Sequence, residues 1–172
     1  GSSIDHVHGI VQAADGGYVL IGSTVSTDGD VTSNHGFHDL WLIKISATGV
    51  LQWQKTYGGS LNDIGSWIQA TTDGGYIISG ITGSSDGDIT GYHGGASDIW
   101  LLKVDGAGNL QWNKCFGGSR EENISNILQT SDGGYFLTAN CFSTDGDLAC
   151  GSNSGFRWVA KMDNAGNIQW QK

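Results

Sequence analysis

Three pairs of aspartates, each pair set around a glycine, carry the clearest chemical potential in this 172-residue chain: Asp28-Gly29-Asp30, Asp86-Gly87-Asp88 and Asp145-Gly146-Asp147. A serine precedes each pair by two residues, at Ser26, Ser84 and Ser143. Carboxylates and hydroxyls held together are hard oxygen donors of the kind that calcium takes. All six aspartates are therefore candidate calcium ligands, and calcium is the one cofactor that the pattern suggests. The spacing differs from an EF-hand loop, which needs Asp-x-Asp-x-Asp-Gly and a distal Glu. The competing expectation is an Asx-type turn, in which the carboxylates accept backbone N–H bonds. His35 and His93 follow at one repeated position, each before a glycine. An imidazole there suits ligand or metal contact, or a backbone bond that shapes a long loop.

Aromatic residues supply the second candidate chemistry. Trp67 stands where the other copies carry Gly9 and Asn126, so no repeat requires it. With Phe37 and Tyr92, which vary within the loops, it is a candidate ligand contact. The six repeated tryptophans, Trp41, Trp53, Trp100, Trp112, Trp158 and Trp170, read as packing residues. Lys44, Lys103 and Lys161 are expected to pair with a carboxylate such as Asp5 or Asp63. Cys141 and Cys150 bracket the third acidic loop, where the other copies have Thr82 and Gly91 or Thr24 and Ser33. Two readings stand: a disulfide suited to an oxidising compartment, or two thiols filling small pockets. Cys115 reads as an inert core thiol.

Several classes are disfavoured. A net charge of -9 gives nucleic acid or an anionic membrane nothing to gain by approach. No apolar run approaches the ~20 residues needed to span a bilayer. No strand-to-helix nucleophile elbow and no phosphate-cradling loop is present, and the sialidase-type Ser-x-Asp-x-Gly-x-Thr-Trp box lacks its Thr-Trp. The chain reads as a non-enzyme.

The elements that position these residues come from an internal repeat. Asp-Gly-Gly-Tyr occurs at Asp15–Tyr18, Asp73–Tyr76 and Asp132–Tyr135, 58 and then 59 residues apart. Each copy continues through the acidic loop, a Trp-centred run ending in lysine, and Gly-x-x-Gln-Trp. A unit of this size cannot bury its own apolar face and must stack on neighbours. In the second copy the pattern predicts strands at Ser66–Thr71, Tyr76–Thr82, Asp98–Val104 and Leu110–Phe116. A long loop runs from Gly83 to Ser97, and a turn spans Gly106–Asn109. The second and third strands are apolar on both faces and need cover on each side, whereas the fourth alternates as an edge strand does. The expectation is an all-β protein: a β-propeller of three four-stranded antiparallel blades at 1–58, 59–117 and 118–172 in one domain. A β-trefoil, with its own threefold symmetry, is the alternative.

The order Asp-Gly-Gly-Tyr, Ser-x-Asp-Gly-Asp, Asp-x-Trp-Leu-x-Lys, Gly-x-Leu-Gln-Trp and Gly-Gly-Ser resembles the β-propeller repeats of large secreted bacterial proteins. Such repeats are common in surface proteins of the Bacteroidetes type. The third copy departs from it, with Phe156 where Asp39 and Asp98 stand and no histidine. The resemblance implies a fold and an extracellular or cell-surface address, without a shared reaction. Rings usually hold four to eight blades. Three therefore point to a homodimer completing a six-bladed ring, or to further repeats of a longer chain. The functional expectation is a non-catalytic module presenting its acidic loops to a glycan or surface protein; the alternative is a structural or assembly unit with no ligand.

Overall fold

Among the described residues, twelve strands alternate with glycine-rich turns and sort into three sheets in chain order. The computed structural model describes residues 1–148 and 156–172. The first sheet holds β1 (Asp5–Gln12), β2 (Tyr18–Thr24), β3 (Asp39–Ile45) and β4 (Leu51–Tyr57). The second holds β5 (Asp63–Ala70), β6 (Tyr76–Thr82), β7 (Asp98–Val104) and β8 (Leu110–Phe116). The third holds β9 (Glu122–Gln129), β10 (Tyr135–Cys141), β11 (Phe156–Met162) and β12 (Ile168–Gln171). Each is antiparallel and ordered as its strands follow in the chain; none closes on itself, and no helix occurs among the described residues.

Three of the four strands expected in the second copy have the bounds found. The first starts earlier, at Asp63, because Asp63, Ile64 and Gly65 pair with Thr82, Ile81 and Gly80. Ser66 is then skipped before Trp67 meets Ser79. This bulge interrupts the two-residue period, which hid the first half of the strand. Ladders β1–β2 and β9–β10 skip His8 and Ser125 at the same place.

The repeated phrases have local causes. Gly74 turns the chain with φ at 82°, and Gly75 leaves room for a side chain arriving from β7: a Cβ there would stand 2.5 Å from Lys103 Nζ. A second bulge, at Gln52, Gln111 and Gln169, lies between the strands ending each unit. It brings the glutamine carbonyl to the lysine, at 2.7 Å for Gln52 and 3.0 Å for Gln111. The indole N–H groups of Trp41, Trp100 and Trp158 donate to Gln54, Asn113 and Gln171. Gln-Trp-Gln is thus a ladder edge that also satisfies the buried tryptophan and lysine of the neighbouring strand.

The sheets stack face to face. Val19, Ile21, Leu40 and Leu42 meet Ile78, Trp100, Leu102 and Val104 in one core cluster. Ile77, Ile99 and Leu101 meet Leu137, Trp158, Ala160 and Met162 in the other. The middle sheet is covered on both sides, as its doubly apolar strands require. The first strands lie nearest the common junction, with β1 against β5 and β5 against β9. Cys115 is a buried free thiol whose pKa burial pushes up to about 12, so it stays protonated. Cys141 is disulfide-bonded, whereas its expected partner Cys150 lies outside the described residues.

Leu101 and Leu102 point to opposite faces of β7 and are both fully buried. Each Leu→Ala change should cost ~2–5 kcal/mol. Urea unfolding measures it, and a negligible loss at either position would show that one face of the middle sheet is uncovered.

Candidate functional site

The acidic loops gather at the end of the sheets where the chain crosses from one unit to the next. In the second unit Ser60 N–H donates to Asp86 Oδ1 at 2.8 Å and Leu61 N–H to Ser84 Oγ at 2.9 Å. Gly58 N–H donates to Asp88 Oδ2 at 3.1 Å, and Asp88 N–H returns a bond to the Gly58 carbonyl at 3.0 Å. In the third, Ser119 N–H reaches Asp145 Oδ1 at 2.8 Å and Arg120 N–H reaches Ser143 Oγ at 3.0 Å. In the first, Ser2 N–H reaches Asp28 Oδ1 at 2.7 Å and Ser3 N–H reaches Ser26 Oγ at 3.2 Å. The leading aspartate and serine of every loop therefore grip the incoming crossing. The crossing N–H groups hold the carboxyls of Asp28, Asp86 and Asp145 below the usual carboxylate range.

A deeper carboxylate completes each grip. Asp63 is fully buried and accepts Gly59 N–H at 2.7 Å, Ser84 Oγ–H at 2.8 Å and Thr82 Oγ1–H at 2.5 Å. Glu122 holds the same place in the third unit, taking Gly118 N–H at 3.1 Å and Ser143 N–H at 2.9 Å. In the first, Asp5 takes Thr24, Ser26 and the chain's ammonium.

The two histidines cap a second set of buried acids. His35 donates its backbone N–H to Asp39 at 2.7 Å, with Nδ1 2.6 Å from the same oxygen. His93 repeats this on Asp98 at 2.8 and 2.9 Å. It also bridges sheets, with Nε2 3.1 Å from Asp147 Oδ2. The other oxygen of Asp39 and of Asp98 is buried and has no hydrogen bond among the described residues. Burial raises the pKa of both acids against the His bonds that lower it, and the neighbouring charges of Asp63 and Glu122 raise it further. Among the aspartates expected as ligands, Asp30 is exposed and Asp147 faces His93. Among the described residues no group of three or more His, Cys, Asp or Glu is placed to hold a metal.

The lysines pair elsewhere than expected. Lys44, Lys103 and Lys161 meet Asp15, Asp73 and Asp132 of the Asp-Gly-Gly turns at 2.8, 2.9 and 2.9 Å, instead of Asp5 or Asp63. The reason is strand direction. β1 and β3 run the same way on either side of β2, so an acid starting β1 lies beside the start of β3, and the lysine lies at its far end. Burial opposes the shift at Asp73, but bonds from Thr71, Lys103 and Gly75 hold its pKa down to about 2.

The expected aromatic contacts separate into two kinds. Tyr92 packs against the first core cluster and donates its hydroxyl to the Gly95 carbonyl at 3.0 Å. Phe37 in its loop and Trp67 on β5 stay outside, 65% and 46% exposed. Trp67 follows the Ser66 bulge, and the neighbouring β1 bonds its strand through His8 Nδ1 and the Gly65 carbonyl at 2.6 Å. His6 stacks near His8 with ring centres 6.1 Å apart. These β1 histidines belong to no repeated motif, and their departure from Ile64, Ser66, Asn123 and Ser125 in the other copies is the same signal that marks Trp67. A cleft of about 210 Å³ between the second and third sheets is lined by Asp73, Lys103, Gln111, Trp112 and Gln129. It is smaller than the ~300 Å³ at which ligand pockets begin. Against models of known protein families and against curated proteins, this chain finds no match.

Two substitutions probe the grip. Asp63→Ala strands a backbone N–H and two hydroxyls and should cost about 3 kcal/mol or more. Asp63→Glu should cost much less, since Glu122 does the same work; urea midpoints compare them. Asp98 tests the sign of the second set. With its folded pKa raised above the unfolded value of about 3.9, its contribution is full below that value and is lost as pH rises through the folded pKa. Between pH 4 and 7 wild type should lose stability relative to Asp98→Asn, and parallel pH profiles would show that the acid is not desolvated.

Proposed function

We propose that this chain is a run of three propeller blades serving as a non-catalytic binding module of a secreted or surface protein, with Trp67 as the platform for a glycan. Three up-and-down four-stranded sheets stacked through both faces of the middle one support blades over a trefoil, whose strands would share a barrel. The Cys141 disulfide supports an oxidising, extracellular setting.

The exposure of Trp67 carries the binding reading. The tryptophans of the third strands, Trp41, Trp100 and Trp158, are buried with their indole N–H groups satisfied, whereas Trp67 is 46% exposed on an innermost strand and answers to no repeat requirement. The bulged Ser66 precedes it, and His8 of β1 bonds the Gly65 carbonyl two residues before it. An aromatic face near polar groups suits a sugar ring, whose C–H face stacks while its hydroxyls find partners. Sugar binding on an open surface needs no deep pocket.

A second reading, a structural spacer without a ligand, is favoured by the acidic loops, whose leading carboxylates are engaged by the crossings. A glycan array separates the two. Binding that disappears in Trp67→Ala while the melting curve is unchanged supports the platform; no binding above background leaves the spacer.

A further inference from the structure

The chain builds one kind of joint twice and carries both halves of a third, apart from each other. At the first joint Trp53 of β4 lies over Gly108 in the β7–β8 turn, where a Cβ would stand 2.9 Å from the indole. Tyr57 donates its hydroxyl to the Gly108 carbonyl. At the second, Trp112 of β8 lies over Gly166 in the β11–β12 turn at the same 2.9 Å, and Lys114 Nζ donates to Asn167 at 2.5 Å. Both glycines have positive φ, at 78° and 73°. The third pair consists of Trp170 on β12 and Gly49 in the β3–β4 turn. Gly49 has φ at 81° and nothing within 4 Å of its Cβ position, and Trp170 is 47% exposed.

The sheet faces tell the same story. Tyr76, Ile78, Trp100, Leu102 and Val104 are buried beneath the first sheet, and Tyr135, Leu137, Trp158, Ala160 and Met162 beneath the second. Their counterparts on the first sheet are Tyr18, Leu20, Trp41, Ile43 and Ile45, an equally apolar set over which no sheet of the described residues lies, and four of the five are only partly buried. The outer face of the third sheet, by contrast, carries Phe136, Thr138 and Val159 where the first has Val19, Ile21 and Leu42.

We propose that a second copy of this chain docks head to tail, the third sheet of one stacking on the first sheet of the other with Trp170 seated over Gly49. This joint continues an interface formed twice within the chain, where the same turn glycine and the same indole meet beside the same apolar face of the receiving sheet. Arg157 stands where Leu40 and Ile99 fill the internal joints, so this joint is weaker than those and depends on concentration. A heterologous joint of this type either closes into a ring or propagates. The inference rests on the stacking of sheets alone, so a failed glycan assay leaves it intact.

Sedimentation of the 172-residue chain from micromolar to millimolar concentration tests it. The mass should rise above 18.1 kDa in whole multiples. Trp170→Ala should weaken association at least about tenfold, as loss of a central tryptophan does. Gly49→Asn tolerates positive φ and places a side chain where the indole must lie, so it should weaken association equally. A mixture of the two variants keeps one intact joint and should give a 1:1 pair at concentrations where each alone is monomeric. An 18.1 kDa monomer throughout overturns the proposal, as it would if other molecules cover these faces. Association that neither substitution moves, or a mixture no better than its parts, overturns it too.

Discussion

The arrangement of this molecule depends on carboxylates that hold a glycine-led crossing at the end of each sheet. A strand that ends one unit must reach the start of the next through a few residues without ladder partners, and their N–H groups need acceptors. Asp86 with Asp63, and Asp145 with Glu122, supply them. Bulky residues are shut out of the crossing: a Cβ on Gly58 would stand 2.5 Å from Asp39 Oδ1 and 3.0 Å from Asp63 Oδ2. With the crossing fixed, each sheet has one place to lie, and the two core clusters form between consecutive sheets.

This constraint also accounts for the charge. Seventeen acidic residues face only eight Lys and Arg. Much of the excess has backbone N–H and hydroxyl groups as partners where cations would otherwise serve. Charge of this origin lies at defined strand ends and loops, and it says little about what the chain binds. Asp39 and Asp98 are the costly members, each with a raised pKa and one buried oxygen that has no hydrogen bond among the described residues. Their histidines are the compensation, and His93 extends it to Asp147 of the next unit.

Much of this was legible in the residues. The repeat located three strands of the second unit with their bounds and β5 without its start and with an end one residue late, and the Asp-Gly-Asp loops could be read as turns because their spacing suits backbone acceptance. Two things were hidden. The bulges at Ser66 and Gln111 break the two-residue period, so neither the true start of β5 nor the inward turn of the glutamine shows in the pattern. The partner of each loop is 20 or more residues away in the chain, and only the stacking of units brings Ser60 to Asp86. The lysine pairing was within reach of topology, since parallel flanking strands put Lys103 at the Asp73 end and away from Asp63. Of the aromatics, Trp67 stood out as foreign to the repeat, whereas the packing of Tyr92 on the core followed from a loop whose course the sequence does not specify.

Amide hydrogen exchange at the crossings tests the central claim most directly. Ser60, Leu61, Ser119 and Arg120 lie outside the strands, where backbone amides ordinarily exchange fast. If their N–H groups are held as described, they should exchange only with opening of the whole sheet, at rates near those of the β6 and β10 ladders. Exchange as fast as at the exposed Asn164 would contradict the account, because the crossings would then be loose and the carboxylates would need another purpose.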